Sequence, residues 1–295
     1  MRRCPLCASR EARLIYQLTG RAVLRCPRCR LLYSSRPTST DQARSFYESE
    51  EFWASPLVRG WSAGFDERSP EVKLFRRALT WLKARGLSGR ILDVGCSSGL
   101  FLELARREGW QAQGVELSER AVESARQNFG LNVFCGTLAQ ARFPDASFDA
   151  VTLWDVVEHF DDPKADLAEV ARVTRPGGVL VICTPNCTSL FHGVAHLVHR
   201  LTLGHARRLL QLLYPDKHNT YFTPRTLGKL LLLTGFSLFR RDEWGAHIGR
   251  WLRAPVSLPL RLGAQALDRL SALAGGRYRL VAYAHRVSSA SKSTS

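Results

Sequence analysis

The 295-residue chain is long enough for one α/β domain of ordinary size plus a small accessory module. No stretch reaches the roughly 18 uninterrupted apolar residues of a spanning helix, and Met1-Arg2-Arg3-Cys4-Pro5 has no apolar leader behind it, so a cytoplasmic location is expected, in which eight cysteines point to metal more than to disulfides. The net charge of +16 sits in the flanks, with +8 in residues 1–36 and +7 in residues 237–295 against +1 for the long middle; such flanks suit acidic partners or serve solubility alone.

In chain order, Cys4-Pro5-Leu6-Cys7 and Cys26-Pro27-Arg28-Cys29 come first, two CxxC knuckles around a hairpin-like segment. Four thiolates close a tetrahedral zinc shell with no open position, so Cys4, Cys7, Cys26 and Cys29 are expected to hold a structural zinc in a ribbon over residues 1–36. Residues 37–69 form an aromatic-rich linker or lid with Phe46, Tyr47, Phe52 and Trp53. Helical spacing of Val72, Phe75, Leu79 and Leu82 predicts a helix from Pro70 to Arg85.

The strand Arg90–Val94 then runs into Gly95-Cys96-Ser97-Ser98-Gly99 and a helical pattern from Leu100. A strand, a small-residue turn and a helix N-terminus present backbone N–H groups to a polar or anionic ligand. A dinucleotide fingerprint would need glycine at 95, 97 and 100, and only Gly95 qualifies; a phosphate loop would need a closing Gly-Lys-Ser/Thr. Asp-x-Gly-x-x-x-Gly followed by Glu116 at the end of a second strand fits better, because an acid there suits the two hydroxyl donors of a ribose.

A helix capped by Ser118 runs toward Phe129, a third strand covers Leu131–Phe134, and Cys135–Leu138 is the loop after it. Strand four is Phe148–Trp154; Asp162-Pro163 opens a helix that Arg175-Pro176-Gly177-Gly178 closes; strand five is Val179–Cys183. Thr223-Pro224 opens a helix ended by Gly235, and 236–239 and 278–283 are the last two strands. The alternation predicts an α/β, Rossmann-like, doubly wound and mostly parallel seven-stranded sheet over residues 70–295. Residues 187–217 and 244–276 are helical insertions, apolar with arginines, that suit either packing on the domain or a membrane surface. His192, His196, His199 and His205 read as faces of the first of them, and Asp161-Asp162 as a helix cap.

The motif Asp93-x-Gly95-x-x-x-Gly99 with Glu116 resembles the class I S-adenosylmethionine-dependent methyltransferases, most closely the small-molecule branch that includes ubiquinone-biosynthesis O-methyltransferases. The middle glycine usual in that family is Ser97 here. The resemblance implies S-adenosylmethionine as cofactor, Glu116 on the ribose hydroxyls, Leu117, Thr137 and Leu138 beside the adenine, and Asp93 orienting the turn and the methionine ammonium. Cys96, Ser97 and Trp154 complete that cofactor set. Glu158-His159 resembles the Glu-His pair of the branch: His159 is the first candidate base, His218 the second, and Glu158 their companion.

The order of ribbon, Arg36-Pro37 and Phe46-Tyr47 resembles the N-terminal extension of bacterial methyltransferases of sugar and cell-envelope chemistry. The expected acceptor is therefore a small molecule (a sugar, an isoprenoid or a lipid-linked intermediate), methylated at oxygen, with peripheral association at an anionic membrane. Asn-Pro-Pro-Tyr/Phe, the mark of amino-methylating nucleic-acid enzymes, is absent after strand four, where Trp154-Asp155-Val156-Val157 stands. Two alternatives stay open: an RNA methyltransferase with a cysteine ribbon, and a non-catalytic binding module on the same fold.

Overall fold

The computed structural model describes residues 2–54, 68–205, 207–245 and 258–287. The chain opens as an antiparallel ribbon: β1 (Arg13–Leu18) and β2 (Arg21–Arg25) meet at a Thr19-Gly20 turn, and β3 (Leu32–Ser34) pairs with β2. The ribbon is not an independent module. β9 (Thr220–Tyr221), nearly 200 residues further on, adds to β3 as the fourth strand, pairing Tyr33 with Thr220 and Leu32 with Tyr221.

The linker is more ordered than a loop. Ser39 and Gln42 cap each other at the start of α1 (Thr40–Glu48), and the Ser49 hydroxyl accepts from Phe52 N–H to start α2 (Glu50–Trp53). The rest of the linker, residues 55–67, lies outside the described residues. α3 (Pro70–Ala84) is capped by Ser69, opens on proline and buries Val72, Leu74, Ala78, Leu79 and Leu82.

The main sheet comprises β4 (Arg90–Val94), β5 (Gln111–Glu116), β6 (Asn132–Cys135), β7 (Phe148–Trp154), β8 (Thr174–Pro185), β10 (Phe236–Trp244) and β11 (Arg279–Arg286), in the order β10-β11-β8-β7-β4-β5-β6. The five strands from β8 to β6 are parallel, and β11 and β10 join antiparallel at one edge. The expected doubly wound, mostly parallel sheet of seven strands is present. Strand order reverses between β4 and β7, and ligands in such sheets sit beyond the strand ends at that crevice.

α4 (Leu100–Arg107) and α5 (Glu119–Phe129) cover one face together with α3, around Ile91, Phe101, Leu102, Val122 and Val133. On the other face α7 (Pro163–Val173) and α10 (Pro224–Leu233) pack over Leu92, Val151, Leu153 and Ile182, and the same cluster takes in Cys4, Leu24 and Tyr33 of the ribbon.

Several boundaries moved. β6 starts one residue later than expected. β8 is much longer than 179–183, because Arg175-Pro176-Gly177-Gly178 does not close the preceding helix but forms an irregular start to the strand, with a register shift opposite Phe148 and Ala150. β10 runs on to Trp244, paired with β11 on both sides of a register shift between Leu238 and Arg240. The first insertion holds α8 (Leu190–Leu201) and α9 (Arg207–Leu213); the second holds α11 (Leu258–Ala274), with 246–257 outside the described residues.

Candidate functional site

The turn after β4 is built by backbone that few side chains tolerate. Gly95 (φ +73°), Ser97 (φ +49°) and Gly99 (φ +83°) are all left-handed. A Cβ on Gly95 would lie 2.5 Å from Val156 Cγ2, so the absence of a side chain is required on two counts. Ser97 keeps this conformation although it carries a Cβ, and its N–H is held by Glu116 Oε2 at 2.8 Å.

Glu116 is 9 % exposed, and its other oxygen accepts from Leu117 N–H at 2.7 Å and Ser118 N–H at 3.0 Å. Burial pushes its carboxyl above the usual range, against the pull of those three amides. A carboxylate offers about four lone-pair positions, so one is left on the Oε2 side for a further donor. Asp93, buried at the end of β4, accepts from the Thr152 hydroxyl at 2.6 Å, and burial raises its carboxyl well above its ordinary value.

Beside them Thr137 caps α6 (Leu138–Ala141), while Trp154 packs at 4.8 Å on Phe75 and 5.3 Å on Phe101. Trp154 Nε1 is buried without an acceptor. Asp93, Gly95, Cys96, Ser97, Glu116, Leu117, Thr137, Leu138 and Trp154 all line one cavity of about 1360 Å³. Gly99 does not line it; it caps α4 and packs against Leu131 and Ala125. The cavity exceeds the roughly 300–1,000 Å³ of a single drug-sized site, leaving room for two molecules.

Its second region holds Glu158, His159 and His218, one ligand atom of each lying within 4.8 Å of the others, a spacing that could hold a metal ion. Glu158 Oε2 accepts from the Thr184 hydroxyl at 2.9 Å, while Oε1 is buried with no partner. Burial, then the nearby Asp155 charge, pushes the Glu158 carboxyl up to about 8. Asp155 itself is paired with Arg279 at 2.7 Å. His159 Nδ1 lies 3.0 Å from Lys217 O; a carbonyl only accepts, so Nδ1 carries the proton and Nε2 keeps its lone pair. Burial pulls His159 down to about 4 and His218 well below its ordinary value. The two rings meet edge-on at 4.7 Å.

Two neighbours of the site, Asn219 and Arg21, were not read from the sequence, and a third, Tyr47, belongs to the aromatic linker or lid expected there. Tyr47 of α1 roofs the site, 6.4 Å from the His159 ring. Asn219 accepts from Thr38 N–H at 2.7 Å and donates to Thr38 O and His159 O at 2.9 Å each, tying the linker to the loop after β7. Arg21 enters the cavity from the ribbon. Asp162 caps α7 as expected, accepting from Lys164 and Ala165.

The four ribbon thiols converge from two equivalent knuckles. Cys4 Sγ lies 3.4 Å from Cys29 Sγ and Cys7 Sγ 3.5 Å from Cys26 Sγ, with all four within 4.8 Å of one another. A tetrahedral shell with Zn–S near 2.3 Å has S–S edges of about 3.8 Å, so this donor set fits zinc. The histidines of α8 instead stack on tyrosines: His192 on Tyr278 and His196 on Tyr214.

The methyltransferase domain family matches residues 66–240. A ubiquinone biosynthesis O-methyltransferase of Azoarcus sp. (strain BH72) is 32 % identical over 140 residues, 45 % of this chain and 60 % of that protein. The enzyme of that name from Idiomarina loihiensis is 39 % identical over 110 residues, 34 % of this chain and 44 % of the relative. The chain thus spans about half the length of these curated relatives. Among solved structures, magnesium protoporphyrin IX methyltransferase from Synechocystis PCC 6803, with bound SAH, aligns over 84 % of this chain and 100 % of its own with a TM-score of 0.57 at 17 % identity, a likeness of fold.

The raised Glu158 carboxyl has a consequence for stability. Its folded pKa of about 8 lies above the ordinary 4.5, so the folded state holds the proton between those values while the unfolded state releases it. Stability therefore falls as pH rises through that window, by on the order of a few kcal/mol at 1.36 kcal/mol per unit. Glu158→Gln should flatten the decline in urea unfolding between pH 5 and 8; parallel curves for the two proteins would refute the assignment.

Proposed function

The chain belongs to the methyltransferase domain family, and on that premise we propose that it transfers a methyl group from S-adenosylmethionine to the oxygen of a small-molecule acceptor. The observation that carries the reading is the shared cavity: Gly95 to Ser98 of the turn and Glu116 line one part, and Glu158, His159 and His218 another. When bound, S-adenosylmethionine supplies a methyl on a sulfonium, already activated toward a nucleophile. Glu116 receives a ribose hydroxyl at the free lone pair of Oε2, Thr137 and Leu138 flank the adenine, and Asp93 faces the ammonium.

His159 takes the acceptor proton at Nε2 while the acceptor oxygen bonds the methyl carbon and the electrons of the broken bond stay on sulfur. Its lowered pKa keeps the imidazole neutral, hence able to accept, across the physiological range. Glu158, protonated over much of that range, positions the acceptor through the unpartnered Oε1. The acceptor is a sugar, an isoprenoid or a lipid-linked intermediate, in keeping with the ubiquinone O-methyltransferase relatives.

Zinc in the ribbon is supported by the Cys4, Cys7, Cys26 and Cys29 cluster. Association with an anionic membrane is supported by the insertions, where Leu197, Leu201, Leu203, Leu212, Leu270 and Leu273 stand exposed beside exposed Arg200, Arg207, Arg208, Arg261 and Arg269. Leu212 also lines the cavity, so this surface borders its mouth. Among the described residues no helix is long and apolar enough to cross a membrane.

Isothermal titration with S-adenosylhomocysteine is expected to find one site per chain, weakened by about 1.5–3 kcal/mol in Glu116→Ala through loss of a hydrogen bond to a charged acceptor. Unchanged affinity would sink the ribose assignment. Metal analysis should find one zinc per chain and its loss in Cys26→Ser, with the ribbon destabilised; full occupancy in that variant would show the wrong ligand set. The protein should sediment with phosphatidylglycerol vesicles but not with phosphatidylcholine ones, each basic side chain near the surface contributing about 1 kcal/mol. It should leave total RNA unlabelled by a radioactive methyl group, and efficient RNA labelling would overturn the small-molecule reading.

A further inference from the structure

Arg21 opens β2 directly after the hairpin turn and is 8 % exposed. Its guanidinium donates to the Tyr221 hydroxyl and to the Tyr214 carbonyl, both neutral acceptors. Among the described residues no carboxylate forms an ion pair with it. Removing a charge from water is costly unless it is paired, and two neutral acceptors occupy only two of five guanidinium donors. Arg21 lines the cavity, together with Leu18 and Thr19 of the hairpin and Tyr214 and His218 across from it.

The same wall carries a second cation. Lys217 Nζ sits 4.6 Å over the Phe46 ring and 3.8 Å from Asp216 Oδ2, the acid of this wall, whose side chain is 73 % exposed. The acids of the other region, Asp93 and Glu116, are separated from Arg21 by a run of rings. Tyr221, His218, His159 and Tyr47 follow one another at centroid spacings of 6.2, 4.7 and 6.4 Å. The cavity thus has Asp93 and Glu116 where the cofactor would lie, rings with Glu158 among them in the middle, and the cations Arg21 and Lys217 with the exposed Asp216 at the ribbon.

Resting on the methyltransferase reading above, we propose that the ribbon end of the cavity is an anion subsite, in which Arg21, with Lys217 at its rim, receives a carboxylate or phosphate group carried by the acceptor. A planar guanidinium matches either group with two parallel hydrogen bonds. Held there, the acceptor lays its body along the His218 and His159 rings and points its hydroxyl at the methyl donor. The ribbon is then part of the substrate site, and its metal holds in place the hairpin that selects the acceptor.

The test titrates inorganic pyrophosphate and, separately, benzoate into the full-length, metal-loaded protein saturated with S-adenosylhomocysteine. One anion at least should bind once per chain, and the tighter of the two identifies phosphate or carboxylate as the group selected. Arg21→Gln should weaken that binding by about tenfold or more, the scale of a lost charge-assisted pair, and Arg21→Lys, which keeps the charge but not the two parallel hydrogen bonds, should recover only part of it. S-adenosylhomocysteine affinity should stay within about twofold in both variants, because its site is built by other elements. Arg21 also ties β2 to Tyr214 and Tyr221, so Thr19→Glu, an acid at the exposed hairpin tip on the same wall, gives a second reading should Arg21→Gln fail to fold; it too should weaken anion binding. No binding of either anion to the wild type, or equal binding in the folded variants, overturns the subsite. Failure of the wild type to bind S-adenosylhomocysteine would overturn the methyltransferase reading itself.

Discussion

The geometry of the cavity depends on one carboxylate. Glu116 at the end of β5 accepts N–H groups from Ser97 in the turn after β4 and from Leu117 and Ser118 ahead of α5. Three backbone N–H groups from two segments therefore converge on a single side chain. Each charge-assisted bond is worth about 1.5–3 kcal/mol, enough to hold Ser97 in a left-handed conformation that costs of order 1–3 kcal/mol for a residue with a Cβ. With the turn so held, the helix N-terminus of α4 and the free side of Oε2 face the same space, and a ligand meets both without rearrangement.

Much of this was legible because it rests on local periodicity. Alternating strands and helices, the Gly95 and Gly99 turn and the acid at the end of the second strand are all patterns within a few residues of one another, and the sheet they predict is the sheet observed. What was not legible is long-range. β9 is two residues long, too short to carry a pattern, and exists because β3 offers it a free edge. The Arg175–Gly178 segment reads as a stop, yet Thr174 before it and Val179 after it both pair with β7, which carries the unpaired residues between them into β8 as an irregularity. Arg21 looked like any other arginine of a basic flank. Arg3, Arg10, Arg13, Arg28, Arg30 and Arg36 are indeed exposed, and only the packing of the hairpin against Tyr214 and Tyr221 buries the one that enters the cavity.

The ribbon and the loop that carries Glu158 and His159 are mechanically one piece. Glu158 O accepts from Asn219 N–H at 2.8 Å and Thr220 N–H at 3.1 Å, and Asn219 spends its side-chain amide on Thr38 and His159. Thr220 in turn pairs with Tyr33 of β3, whose ring is buried against the cysteine knuckles in a shared core. The two cysteine pairs of the ribbon are thus tied through β3 and β9 to the loop that carries Glu158 and His159. This also explains why an accessory module of so few residues is stable: its apolar face is completed by the domain it serves.

The electrostatics of the cavity follow from the same economy of placement. Burial is the first cause of the raised carboxyls of Asp93, Glu116, Asp155 and Glu158, and among these Asp155 has an arginine partner in Arg279. Concentrating acids in a dry crevice weakens the fold, and the hydrophobic faces on both sides of the sheet offset that cost. A ligand bearing positive charge at this end favours the ionised carboxylates and so binds more tightly than its contacts alone would give, while a neutral analogue leaves the repulsion in place. At the ribbon end the sign is reversed, since a buried guanidinium among neutral acceptors favours an anion. Two opposite charges at the two ends of one aromatic-walled cavity select a pair of molecules, one cationic and one anionic, and orient each of them toward the histidines between.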